Sequence, residues 1–327
     1  MTVSSLPSTP SGMCRRAVVA AAAAAVVAAG LTACSADEPV DDGPCAATAA
    51  SKDDGARSIN LPSPEVTVLS PGDGAPQPLT VAPDTDSSQS VTLETSSTES
   101  SIAPSAPNAE QNQIQNTEQQ LVTPITARTV CDDPTSLEFS IGAPTSKDTD
   151  LAPLLTDLDT STGGLSYGPG MAPTRLRLKP TDAAGSPARS ALEQSLIGAL
   201  DYAIPLPTTP VATGATWRAV RRVTGSATVT QTMTVTLVSR TADVLELDVA
   251  IDEEPVNSVF AIPGSDATLH IARFSMSGKG SFTVDLRRLL PTSGTLTMQG
   301  GRELLGDDPN RPILQKNGFT LAWKKSE

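Results

Sequence analysis

Histidine is almost missing from this chain. His270 is the single one among 327 residues. Imidazole-based metal sites and hydrolytic triads therefore have little to draw on. Aromatic residues are scarce at 3%, so any core must be built from aliphatic side chains. Basic residues are outnumbered, 23 Lys and Arg against 36 Asp and Glu, for a net charge of -13. No basic patch stands ready to neutralise phosphates, which argues against nucleic acid as a partner. Long apolar runs are lacking too. The one sizeable run, residues 17–30, is Ala-rich and shorter than the roughly 20 strongly apolar residues of a permanent membrane span.

What that run does resemble is the middle of a signal peptide. Arg15 and Arg16 supply the positive start, and Leu31-Thr32-Ala33-Cys34 closes it with small residues. Translation can start at Met1 or at Met13, since residues 1–12 add polar length alone. The closing tetrad resembles the lipobox of bacterial lipoproteins. That resemblance implies cleavage after residue 33, a diacylglyceryl (palmitate-type) group on Cys34 and a mature chain held on the outer face of the cell membrane. Two acyl chains are enough for stable anchoring, at about 0.8 kcal/mol per buried CH₂.

Four cysteines are present. Cys14 departs with the signal and Cys34 is consumed by lipid. Cys45 and Cys131 remain in an oxidising compartment and are expected to pair. The acidity is localised as well. Residues 35–135 hold sixteen acids and three bases, and the rest of the chain is close to neutral. With its Ser, Thr and Pro content, residues 34–130 read as the anchor followed by a long disordered linker. Within it, Val66-Thr67-Val68-Leu69 is a short apolar piece able to pair transiently with a sheet edge.

Order is expected from residue 131 to 327. Leu137-Glu138-Phe139-Ser140-Ile141 and Arg175-Leu176-Arg177-Leu178-Lys179 alternate as strands do. Ser186-Pro187 is a helix start, and Leu192, Leu196, Ile197 and Leu200 recur at helical spacing, predicting a helix over 188–203. From Trp217 onward the period is two. Val229, Met233, Val235 and Leu237 share one face, with Thr228, Thr230, Thr232, Thr234 and Thr236 on the other. Short connections predict antiparallel neighbours. The expected fold is α+β, a curved antiparallel sheet of half-barrel or open-barrel form packed on one helix, with a β-sandwich as the alternative.

Two stretches, Pro205-Leu206-Pro207 through Gly214-Ala215-Thr216-Trp217 and Gly278-Lys279-Gly280-Ser281-Phe282-Thr283-Val284-Asp285-Leu286, resemble a family of uncharacterised actinobacterial cell-envelope lipoproteins. The likeness covers roughly residues 165–327 and implies no known activity. In architecture the expected domain is similar to mycobacterial lipoproteins whose half-barrel encloses acyl chains.

Candidate chemistry is thin. Gly164-Leu165-Ser166-Tyr167-Gly168 matches G-x-S-x-G, but Gly168-Pro169-Gly170 follows where the nucleophile elbow needs a helix. Its only available base is His270, which reads as an ordinary strand residue. Asp157-x-Asp159 with Gly163 lacks the acid that closes a calcium loop. Trp217 and Trp323 read as core or as pocket lining, and Arg218, Arg221 and Arg222 as a solvated strand face or a site for anionic headgroups. No enzyme, cofactor or metal is expected. The expected function is binding of a lipid or other apolar envelope ligand, in a cavity of at least about 300 Å³. The alternative is an interaction or scaffolding module for envelope proteins.

Overall fold

The computed structural model describes residues 43–47, 55–103 and 113–326. The signal segment, the lipobox and Cys34 lie outside the described residues. Everything described belongs to one unit, Asp41–Glu327.

That unit is built on one sheet of fourteen strands, all its named pairs antiparallel. Two meanders make up most of it. The first runs through β3 (Gln89–Ala103), β4 (Gln113–Val130), β5 (Asp133–Ile141), β6 (Thr162–Tyr167) and β7 (Pro173–Lys179). The second runs through β8 (Thr216–Thr224), β9 (Thr228–Thr241), β10 (Val244–Pro255), β12 (Thr268–Asp285), β13 (Ser293–Leu305) and β14 (Ile313–Lys325). The last strand pairs with the first of the other meander, β14 on β3, and so joins the two. Two short early strands finish the path, β1 (Arg57–Asn60) on β7 and β2 (Glu65–Ser70) on β8. A three-residue β11 (Val259–Ala261) pairs with β12 off the path.

Helices are few. α1 (Ala152–Leu155) is a single turn, and α2 (Ser186–Leu200) begins with Pro187 in its first turn as the sequence predicts. The face of α2 that carries Ala188, Ala191, Leu192, Leu196, Ala199 and Leu200 is buried. The alanines allow close backbone approach, and each fully buried Leu contributes roughly 1.5–3 kcal/mol. Ser195 on that face is satisfied by Thr95 of β3, their hydroxyls 2.8 Å apart. One main cluster gathers α2, the inward residues of both meanders, and Leu206, Val211 and Ala215 from the segment between α2 and β8.

Two expectations are overturned. The fold is all-β, one large antiparallel sheet with two short helices, and is neither α+β with a helix as the second layer nor a two-sheet sandwich. The long disordered linker is overturned as well where it is described, because residues 57–103 and 113–130 supply β1 to β4. Both errors have one cause. Ser/Thr-rich strands carry little hydrophobicity, and they become strands because partners far along the chain complete their ladders and cover one face. Val91, Leu93 and Thr95 are buried on β3 while the residues between them are not. Val66-Thr67-Val68-Leu69 is likewise the body of β2, a stable edge strand.

The cysteine pair stands as expected. Cys45 and Cys131 form a disulfide across 86 residues. Beside it Ala46 bridges to Val130 and is fully buried.

Candidate functional site

Along each long strand of the inner face, aliphatic residues give way to polar ones. Val235, Met233 and then Gln231 follow one another on β9, as do Leu321, Phe319 and then Asn317 on β14. The cross-strand registers align these transitions into one row over eight strands. It reads Arg221, Gln231, Glu253, Met276, Gly300, Asn317, Glu99 and Thr117, from β8 to β4. Glycine is required at 300 in this row, since a Cβ there would collide with the Ser275 carbonyl on β12.

Hydrogen bonds lock both ends of the row. At one end the Arg221 Nε–H donates to Gln231 Oε1 at 2.8 Å, and the Gln231 amide donates to Glu253 Oε1 at 3.0 Å. The Tyr202 hydroxyl donates to the same Glu253 oxygen at 3.1 Å. At the other, Arg302 Nε–H donates to Gln315 Oε1 at 2.6 Å, and the Gln315 amide donates to Glu99 Oε1 at 3.2 Å. Arg302 also lies 3.6 Å from the other Glu99 oxygen and 4.2 Å from the centre of the Phe260 ring. Burial, opposed by neighbouring carboxylates, depresses the pKa of both arginines below the usual guanidinium range. Phe260 belongs to a second small apolar cluster with Ile271 and Leu304, which closes the far end of the sheet.

The buried face of α2 packs against part of the aliphatic cluster of the inner face. Beyond it an open cleft of about 920 Å³ lies between Pro187, Ser190 and Gln194 of α2 and the strand residues Glu99, Thr117 and Asn317. A side recess of about 230 Å³ continues past Met276 and Asn317 toward Glu253 and Arg302. The apolar hollow at the other end of α2, walled by Tyr167, Phe282 and Trp323, measures about 40 Å³, room for no more than a few waters. Tyr202 separates these spaces. It lines the hollow and stacks on Phe319 of the cleft, the ring centres 5.2 Å apart.

Asp201, next to that tyrosine, is the most perturbed carboxyl. Burial pushes its pKa up to about 6, with Arg221 opposing the shift and Glu253 adding to it. An acid with a raised folded-state pKa binds more protons folded than unfolded between the two values. The contribution of Asp201 to stability therefore falls as pH rises from about 4 to about 6, by roughly 1–3 kcal/mol, and is flat above. Asp201→Asn should remove that slope. Thermal melts should show the variant more stable than the parent above pH 7 and equal to it near pH 4. Equal melting curves at both pH values would show that Asp201 is ionised without cost.

Neither a family model nor a curated protein matches the chain. Among solved structures, the binding domain of botulinum neurotoxin DC in complex with rat synaptotagmin II aligns at 9% identity. That alignment covers 81% of this chain and 90% of that one, with a TM-score of 0.12. A structure described as a receptor binding domain aligns at 9% identity over 83% of this chain and 89% of that one, also at 0.12. Scores so low carry no argument about fold or ligand.

The candidates named from sequence are scattered. Ser166 sits inside β6, opposite Arg175 and Ser136. His270 is exposed on β12, with five strands between β6 and β12 in the sheet order. The structure does not bring the two together. Asp157 and Asp159 lie on a short 3₁₀ turn, and among the described residues no three His, Cys, Asp or Glu are grouped to hold a metal. Trp217 is fully buried core, and Trp323 is core that also walls the small hollow. Arg218 and Arg222 are exposed, whereas Arg221 points inward and is buried. Cleft residues Glu99, Thr117 and Glu118 went unread because their segment passed for linker. The signal was there in Leu121, Thr123, Ile125 and Ala127, which alternate immediately after that polar stretch.

Proposed function

We propose that this chain is an outer-face lipoprotein of the actinobacterial envelope type, anchored through Cys34, and that its sheet domain is a recognition module without catalytic activity. Its ligand lies in the inner-face cleft and is polar. One observation carries this reading. The open cleft of about 920 Å³ carries carboxylates, amides and hydroxyls beside Leu151, Leu154, Met276 and Phe319, whereas the apolar hollow of about 40 Å³ is far below the roughly 300 Å³ that an acyl ligand needs. Of the two functions considered from sequence, an interaction module fits these dimensions better than a lipid carrier. No helix among the described residues is long and apolar enough to cross a membrane, so a lipid at Cys34 is the anchor this reading requires.

The disulfide supports the geometry of such a tether. Eleven residues after Cys34 the chain is tied at Cys45 to Cys131. Cys131 follows the last residue of β4, while Thr117 of the cleft lies fourteen residues earlier on that strand, about 45 Å away at the rise of an extended chain. The tether thus enters the sheet at the end remote from the cleft.

The experiment is the Cys34→Ala chain, fractionated and then extracted with organic solvent. The protein should move from the membrane to the soluble fraction and release no lipid in stoichiometric amount. Retention on the membrane with normal processing overturns the anchor. One lipid per chain overturns recognition in favour of a carrier.

A further inference from the structure

We propose that the inner-face cleft receives an extended polypeptide segment bearing lysine or arginine. This rests on the reading of that cleft as the ligand site and names the class of ligand.

Charge complementarity is the first argument. Glu99, Glu118, Asp148 and Asp150 all line the cleft and no lysine or arginine does, while Lys316 lines the adjoining hollow that shares Glu99, Glu118 and Asn317. Glu99 is partly neutralised by Arg302. Glu118, Asp148 and Asp150 are exposed and take part in no ion pair among the described residues. A concave site of one sign with low-dielectric walls focuses its field and concentrates ions of the opposite sign. Asp148 is also fixed in place, because its Oδ1 accepts from the backbone N–H groups of Asp150 and Leu151 at 2.9 and 3.2 Å.

The second argument is the kind of hydrogen bonding left over. Asn317 lines the cleft, and its Oδ1, closed off from solvent, has no partner among the described residues. It is an acceptor, as are the three carboxylates, so the missing groups are N–H or O–H donors. Ammonium, guanidinium and peptide N–H groups meet that demand together.

The third is shape. The cleft is open along one side, between a helix face and a sheet face, as an extended chain requires. Phe319, Met276, Leu151 and the half-exposed Leu154 are among the apolar lining residues. They suit the alkyl stems of long basic side chains, whose charged heads then reach the acidic rim. A glycan is disfavoured, since Phe319 is the one aromatic in the lining and already stacks on Tyr202. An acyl chain would strand the carboxylates, and an anion would be repelled.

Fluorescence anisotropy on the full mature chain in a neutral detergent tests this. The probe is a labelled decapeptide of alternating Ser and Lys, compared with its Ser–Glu counterpart and with a labelled neutral oligosaccharide. The Ser–Lys peptide should bind at low salt and at least about tenfold more tightly than the Ser–Glu peptide, and should weaken at physiological salt. Combining Glu118→Gln, Asp148→Asn and Asp150→Asn should weaken it about tenfold, the sum expected of three exposed ion pairs. Asp248→Asn with Asp252→Asn, on the outer face of β10, should leave it unchanged. These five side chains are exposed, so the variants keep the fold, and a shared melting temperature verifies it. No binding of the Ser–Lys peptide overturns the proposal. Oligosaccharide binding that is lost in the cleft variant overturns the ligand class and leaves the cleft as the site. Ser–Lys binding that persists in the cleft variant and is lost in the outer-face variant overturns the site itself.

Discussion

Trp217→Ala is expected to lower the stability of the sheet domain by about 4 kcal/mol. Trp217 is fully buried on β8, with Val68 of β2 on one side and Val235 of β9 on the other. Its indole N–H donates to the Pro205 carbonyl at 2.8 Å, tying the segment after α2 to the sheet. Alanine removes the largest fully buried side chain and leaves a cavity that neighbouring strands, held by their own ladders, cannot close. It also leaves the Pro205 carbonyl without its donor, and an orphaned buried acceptor alone costs about 1–3 kcal/mol. Trp217→Phe separates the two effects, because it restores most of the volume and none of the hydrogen bond. Urea unfolding gives both numbers, with the midpoint falling at an unchanged slope. A loss under about 1 kcal/mol for the alanine variant would mean that this tryptophan does not hold the second meander to α2.

The second large effect is expected from the disulfide. Replacing Cys45 and Cys131 together by Ala should cost about 4–5 kcal/mol, the chain-entropy value for a closed loop of this length, since 86 residues separate the two. Four strands, β1 to β4, lie inside that loop. Breaking it frees an early segment that reaches both ends of the sheet, through β1 on β7 and β2 on β8. The bridge also fixes Ala46, whose N–H donates to the Thr129 carbonyl while its own carbonyl accepts from the Cys131 N–H, each at 2.9 Å. Unfolding of the parent under reducing conditions should match that of the double variant. A parent insensitive to reductant would show that the ladders of β1 and β2 suffice without the bridge.

Legibility followed hydrophobic contrast. On β9, threonine alternates with Val229, Met233, Val235 and Leu237, and burial divides along that pattern. The start of α2 was readable from Ser186-Pro187 and its buried stripe from the Leu spacing. The Cys45–Cys131 pair followed from counting. On β3, by contrast, apolar alternation lasts only from Val91 to Leu93 before Thr95, Ser97 and Glu99 continue the same face with polar groups. That polar half is where the cleft lies. The feature that hid the strand from a hydrophobicity reading is the feature that makes the site. Gln231 and Arg221 were obscured in the same way, as polar residues on inward positions of strands otherwise readable.

By itself the sequence determined the local matters. It set which faces of the second-half strands are apolar, where a helix starts, and which two cysteines were left to pair, because each depends on neighbours a few residues apart or on composition. Tertiary structure alone decided that β1 to β4 are strands, that β14 joins β3 across more than 200 residues, and that acids from β3, β4 and the turn before α1 line one cleft. Those outcomes rest on backbone ladders between distant segments. A ladder is satisfied by any chain that can lie extended, so it leaves almost no trace in the identity of the residues it joins.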